Sequence, residues 1–143
     1  MTTLGHPPAL PAALAPVVRT LTQEKIQRYG QASGDLNPLH MDTQAAVGSR
    51  FGGTIAHGML LLAYISETMT AAFGLDWLRS GRLRVRFRSV ARPGDVVTAG
   101  GRLKALREEG GGRQATYDVE ARNQRDEVLI SGEAEVEVPG EGR

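Results

Sequence analysis

Read for period and alternation, the chain changes character at about Gly81: apolar positions recur at helical spacing before it and alternate with polar ones after it. The strongest helix is predicted from Gly58 to Phe73. There Met59, Leu60, Leu61, Leu62, Ala63, Ile65, Met69, Ala72 and Phe73 leave a thin polar edge of Ser66, Glu67 and Thr70. A helix apolar nearly all round is expected to be buried nearly all round, and Gly74 is placed to close it. An earlier helix is predicted behind Thr22, a capping residue, with Gln23 and Glu24 in its first turn, Ile26 and Tyr29 on its apolar face and Gly34 at its end. Val17 to Leu21 reads as a short strand. Thr43–Val47 reads as a short helical piece capped by Asp42.

Beyond Gly81, Leu83, Val85 and Phe87 alternate with Arg82, Arg84, Arg86 and Arg88, the pattern of a half-buried strand. Arg92-Pro93-Gly94-Asp95 is a turn. A second strand is expected from Val96 to about Leu106, with a bulge or bend at Gly100-Gly101. Gly110-Gly111-Gly112 reads as a hairpin connection into a third strand carrying Ala115, Tyr117, Val119 and Ala121. After a turn at Asn123 to Asp126, a fourth carries Val128, Ile130, Ala134, Val136 and Val138, with an irregularity expected at Gly132. Successive hairpin-linked strands imply an antiparallel sheet. The long helix must then be wrapped by that sheet, an α+β architecture.

At 143 residues the chain is one domain by the usual length of roughly 100–200 residues each. Residues 1–16, rich in Pro and Ala, are expected to form a flexible or extended arm ahead of a single domain at 17–143. A net charge of +1 supplies no basic field for nucleic acid. The absence of cysteine removes disulfides and thiolate chemistry. The longest apolar run, Met59 to Ile65, is far short of the ~20 residues that cross a bilayer. A soluble, cytoplasmic protein is expected, with no membrane partner.

The chemistry concentrates in Ser33-Gly34-Asp35-Leu36-Asn37-Pro38-Leu39-His40, followed by His57-Gly58. Gly34 allows a tight turn and Pro38 biases Asn37 away from helix, so the segment is expected to be an irregular loop. Such a loop can turn Asp35 and His40 toward one point, where a carboxylate and an imidazole hold and activate a water. His57-Gly58 opens the long helix, whose first N–H groups point outward unpaired and favour an anionic oxygen. An acid–base pair beside such donors outlines a reaction centre.

The stretches "YGQASGDLNPLHMD", "IAHGMLLLAYIS" and "RPGD", in that order and spacing, resemble the MaoC-like hydratases, the (R)-specific enoyl-CoA hydratase and 3-hydroxyacyl dehydratase group. The resemblance runs from about Val17 to Val138. It implies a hotdog fold, a long central helix inside a curved antiparallel sheet. It also implies a homodimer, or a heterodimer with a related hotdog subunit. Asp35 matches the family's catalytic acid, His40 its catalytic histidine, and Gly58 the glycine whose N–H meets the thioester oxygen. Asn37 is the motif's asparagine, and Ser66 matches a serine found near the pair in some members. Hydration of trans-2-enoyl-CoA to the (R)-3-hydroxyacyl thioester, or the reverse, is the implied activity. Acyl-CoA or acyl-carrier-protein is the substrate, and no metal or separate cofactor is implied. A dehydratase subunit of fatty-acid synthesis, a hotdog thioesterase and a non-catalytic acyl-binding subunit are the alternatives.

Taken singly, these residues also have plainer readings. Asp35 is ordinary turn chemistry, Asn37 a loop-bonding residue, and His57 an orienting residue ahead of the helix. Ser66 either bonds back to a helix carbonyl or orients the pair. The four arginines are a solvated strand face, or contacts for coenzyme A phosphates. Tyr64 and Trp77 read as core or interface. Met69–Phe73 and Phe51–Ile55 are candidate walls for an acyl chain.

Overall fold

The computed structural model describes residues 10–140. Its helices are α1 (Gln23–Ser33), α2 (Pro38–Met41), α3 (Thr43–Val47), α4 (Gly58–Phe73) and α5 (Leu75–Ser80). Its strands are β1 (Val17–Thr20), β2 (Arg82–Phe87), β3 (Val96–Glu109), β4 (Gly112–Arg122) and β5 (Val128–Pro139). They form one antiparallel sheet in the order β1-β3-β4-β5-β2. Helix α4 packs against β1, β3, β4 and β5, as the α+β reading expects.

The core lies between α4 and the sheet. Leu61, Ile65 and Met69 of α4 are buried with Val97, Tyr117, Val119, Ile130 and Val136 of the strands. Between these, Ala99, Ala115, Ala121 and Ala134 keep the inner sheet face low enough to seat a helix. The outer face carries charges: Arg82 pairs in register with Glu135 and Arg84 with Glu133, and Lys104 meets Glu133 and Asp118. The arginine strand is thus a solvated, charge-laddered face.

Several expectations are corrected. Helix α4 is not buried all round: Met59 is 57% exposed, and Ala63, Glu67, Thr70 and Ala71 share its open side. The register shifts fall between Leu103 and Ala105 and between Ala121 and Arg122, whereas Gly100, Gly101 and Gly132 stay in register. Gly101 and Gly132 serve close approach instead. A Cβ on Gly101 would stand 3.0 Å from Leu14 Cδ1, and one on Gly132 would run into the backbone of Arg84 and Val85. Helix α5 has no counterpart among the expected elements; its Trp77 folds back under α4.

The arm from Leu10 onward lies along β3. Leu14 N–H donates to Gly101 O at 2.9 Å, Leu103 N–H to Ala12 O at 2.9 Å, and Tyr117 Oη to Pro11 O at 2.8 Å. Residues 1–9 of the arm fall outside the described residues. Among the described residues, no helix is long and apolar enough to cross a membrane.

Candidate active site

The site begins where α1 stops. Gly34 takes φ 82 and returns its N–H to Gly30 O at 2.9 Å, a left-handed ending that suits glycine. Ser33 Oγ then accepts from Asp35 N–H, Asp35 Oδ1 from Asn37 N–H at 3.3 Å, and Asn37 Oδ1 from Leu39 N–H at 3.0 Å. These nested turns place Asn37 as the cap of α2 with Pro38 at its first position. His40 therefore sits on a helical turn, not on an irregular loop. Pro38 does hold Asn37 out of the helical region, and it also starts α2, because its missing N–H is one that a first turn leaves unpaired anyway.

Side chains of α1 hold that turn in place. Gln23 Nε2 donates to His40 O at 2.9 Å and Gln27 Nε2 to Met41 O at 2.7 Å. Thr54 Oγ1 donates to Gln23 Oε1 at 2.6 Å. The following segment, Thr54 to His57, is wholly buried, pinned by Ile55 N–H to Leu39 O and Ala56 N–H to Ala91 O. Its far side is set by the predicted turn. Asp95 accepts from Arg92 N–H and Gln124 Nε2, and Arg92 reaches Phe51 O.

Within this frame the imidazole of His40 has one nitrogen committed. Nδ1 lies 2.8 Å from Ile55 O, and a carbonyl only accepts, so Nδ1 carries the proton. In the neutral ring Nε2 then keeps its lone pair, and it lies 4.0 Å from Asp35 Oδ2. The His40 side chain is 13% exposed and that of Asp35 54%, so the pair stands at the rim of the molecule, imidazole inward. His57 is buried behind them, stacked on His40 with centroids 4.0 Å apart.

Gly58 begins α4 beside this pair. A Cβ there would stand 2.9 Å from Phe87 Cε1, so the glycine is faced by an aromatic ring. In the sequence Phe87 is legible only as a strand residue. Its tie to the site spans β2 and α4, and alternation along one strand carries no signal of it. From Tyr29, edge-on to His57, an apolar groove of about 560 Å³ runs along the open side of α4, past Met59, Leu62, Ala63 and Leu83. Of the two wall segments foreseen, only Thr70 lines it, and Met69 is turned into the core. A second crevice of about 550 Å³, where the arm crosses β3 and β4, contains none of these groups.

The sequence-predicted residues separate into two groups. Asp35, His40 and His57 converge, with Gly58 following His57 at the start of α4, while Asn37 is used as a helix cap and Ser66 Oγ accepts from Trp77 Nε1 at 3.0 Å. Asp35, His40 and His57 bring three ligand-type atoms within 4.8 Å of one another. Each imidazole, however, spends one nitrogen on a carbonyl, and the other nitrogen of His57 is sealed from solvent. The open donors are then one carboxylate and one imidazole, short of the three or four protein ligands of a zinc site.

The profile of the MaoC like domain matches residues 12–128. The (R)-specific enoyl-CoA hydratase of Rhodospirillum rubrum is 31% identical over 128 residues, 90% of this chain and 87% of that protein. The 3-hydroxyacyl-thioester dehydratase Z of Mycobacterium tuberculosis is 31% identical over 102 residues, 68% of each chain. Among solved structures, the (R)-hydratase from A. caviae involved in PHA biosynthesis superposes with a TM-score of 0.79 at 26% identity, covering 93% of this chain and 100% of that one. The shared architecture is the hotdog fold.

Proposed function

The chain belongs to the MaoC-like dehydratase family, and from that premise we propose that it is a hydro-lyase of acyl thioesters in which Asp35 and His40 activate one water. The preferred reaction is addition of that water to a trans-2-enoyl-CoA, giving the (R)-3-hydroxyacyl-CoA, or its reversal. The carrying observation is the 4.0 Å gap between Asp35 Oδ2 and His40 Nε2. With His40 Nδ1–H given to Ile55 O, both groups facing the gap are acceptors. Two acceptors at that separation do not bond each other, but one water can donate to both. Its lone pairs then face outward, toward a bound substrate.

The atoms balance without a co-reactant. The water oxygen bonds C3 as one acceptor takes its proton. The electrons of the C2=C3 double bond move to the thioester oxygen as an enolate, and the pair returns a proton to C2 on the same face. Gly58 N–H, at the positive end of α4, is the donor for the enolate oxygen. One such preorganised donor is typically worth about 2.7–4 kcal/mol in the transition state. The acyl chain would lie along the apolar groove of α4. A second copy of the chain would cover that groove's open side, where Met59 and Leu83 leave it uncovered.

A dehydratase acting on carrier-protein thioesters is the second reading, supported by the likeness to the mitochondrial 3-hydroxyacyl-[acyl-carrier-protein] dehydratase of Arabidopsis thaliana, 29% identical over 123 residues. The test is loss of enoyl-thioester absorbance when the protein meets crotonyl-CoA, with Asp35→Asn as control. Loss in wild type alone supports the coenzyme A hydratase. Activity only on the carrier-bound substrate supports the second reading. Free thiol release without hydration would reject both.

A further inference from the structure

One ring touches both members of the reacting pair. His57 Nε2 lies 2.9 Å from the backbone carbonyl oxygen of Asp35. The face of the same ring stacks on His40, centroids 4.0 Å apart and planes inclined by 27°. Tyr29 closes its edge at 4.9 Å. The residue is 1% exposed.

Because the Asp35 carbonyl only accepts, Nε2 carries the proton and Nδ1 a bare lone pair. That lone pair is buried with no hydrogen-bond partner among the described residues. A buried acceptor without a donor forfeits its hydration and gains nothing in exchange. Packing does not ask for it, since a phenylalanine would fill much the same space without an orphaned nitrogen. The imidazole is accounted for only by what its other atoms do.

We propose that His57 is a positioning residue: it fixes the Asp35 main chain through Nε2–H and the plane of His40 through stacking, and so sets the gap across which the two groups share a water. The inference rests on the reading of Asp35 and His40 as the reacting pair. Asp35 has need of such an anchor. Its carboxylate is more than half exposed, and it follows a glycine in the left-handed conformation. Its carbonyl oxygen sits over Gly30, 3.1 Å from where a Cβ there would be, which brings it within reach of His57. His57 in turn stands at the N-cap position of α4, without a side-chain capping bond, so the residue that meets the pair leads directly into the helix that presents Gly58 N–H.

The two contacts can be removed separately. His57→Phe keeps a ring to stack on His40 and loses the donor. His57→Gln keeps an amide donor for the Asp35 carbonyl and loses the ring. Wild type and both variants are compared by steady-state kinetics on crotonyl-CoA and by nitrogen-15 NMR of the imidazoles. The wild-type spectrum is expected to show His57 protonated on Nε2 and bare on Nδ1. Each variant is expected to lower kcat about 10–100-fold, the scale of a small misplacement at a reacting centre. KM should stay within about twofold, because substrate does not touch His57. The His40 resonances should move in both variants.

Unchanged kcat in a folded variant of each kind overturns the proposal. So does a wild-type His57 protonated on Nδ1, a result that needs no variant to fold and no turnover. Wild type that fails to hydrate any enoyl thioester would sink the reading of the pair, while the tautomer and the His40 shift would still decide whether His57 holds it in place.

Discussion

The ring of Phe87 lies against the α-carbon of Gly58, with Cε1 and Cδ1 2.9 and 3.0 Å from the place a Cβ would take. The edge strand β2 thus reaches the start of α4 and covers one side of the donor proposed for the enolate oxygen. Phe87 is 55% exposed, so its ring has room to turn aside.

Gly58→Ala is therefore expected to fold and to lose activity by displacing Phe87 rather than by unfolding the helix start. In a Phe87→Ala background the same substitution should cost much less, a coupling of the 0.5–3 kcal/mol typical of residues in contact. Kinetics on the four proteins of the cycle measure it. Equal losses in both backgrounds would show that the methyl group itself obstructs the thioester.

How much of this was legible in the sequence follows from the range of each interaction. Thr22, Gly34, Asp42 and Gly74 act within a few residues of themselves, and each caps or ends the helix expected of it. The spacing of Asp35, His40 and His57-Gly58 marked the groups that converge. What escaped were relations between distant segments. The two register shifts sit at positions with no glycine to announce them. The contact of Phe87 with Gly58 belongs to the packing of β2 on α4. The open side of α4 escaped for another reason: apolar content shows that a face seeks cover, and does not say that the same chain supplies it.

Gly132 ties the sheet's edge to the site. A Cβ there would stand 2.1 Å from Arg84 O and 2.6 Å from Val85 Cα, and neither backbone atom can swing away. Gly132→Ala must push β2 from β5, at the roughly 1–3 kcal/mol of overpacking. Denaturant unfolding should show that loss, and activity should fall with it because Phe87 ends the displaced strand. A midpoint equal to wild type would show that the strands part without strain.

Two phenols give the fold an alkaline limit. Burial pushes the Tyr64 hydroxyl above its ordinary 10.0, with Arg19 opposing and Glu67 adding, and burial alone raises Tyr117. Above pH 10 the unfolded chain releases these protons while the native protein keeps them, so the native state binds more protons and stability falls as pH rises. Below that pH the contribution is constant. Denaturation midpoints should be level from about pH 8 to about 9.5 and decline from there to about 11, less steeply in Tyr64→Phe. A flat profile in wild type would contradict the burial of these hydroxyls.

Asp35 and His40 act on one water, so their losses should not add. General acid–base catalysis typically contributes 10²–10⁴-fold, and Asp35→Asn and His40→Ala are each expected to lose about that much kcat. The double variant should lose little more than either alone, since removing one acceptor already releases the water. Stability separates the two where activity does not. Asp35 is exposed and, among the described residues, its carboxylate accepts one long backbone bond, from Asn37, so Asp35→Asn should melt close to wild type. His40→Ala removes the Nδ1–H bond to Ile55 O and the stack on His57, and should cost on the order of 1 kcal/mol or more. Independent, multiplying losses in kcat would mean that the two groups serve different steps, and a shared water would no longer describe the site.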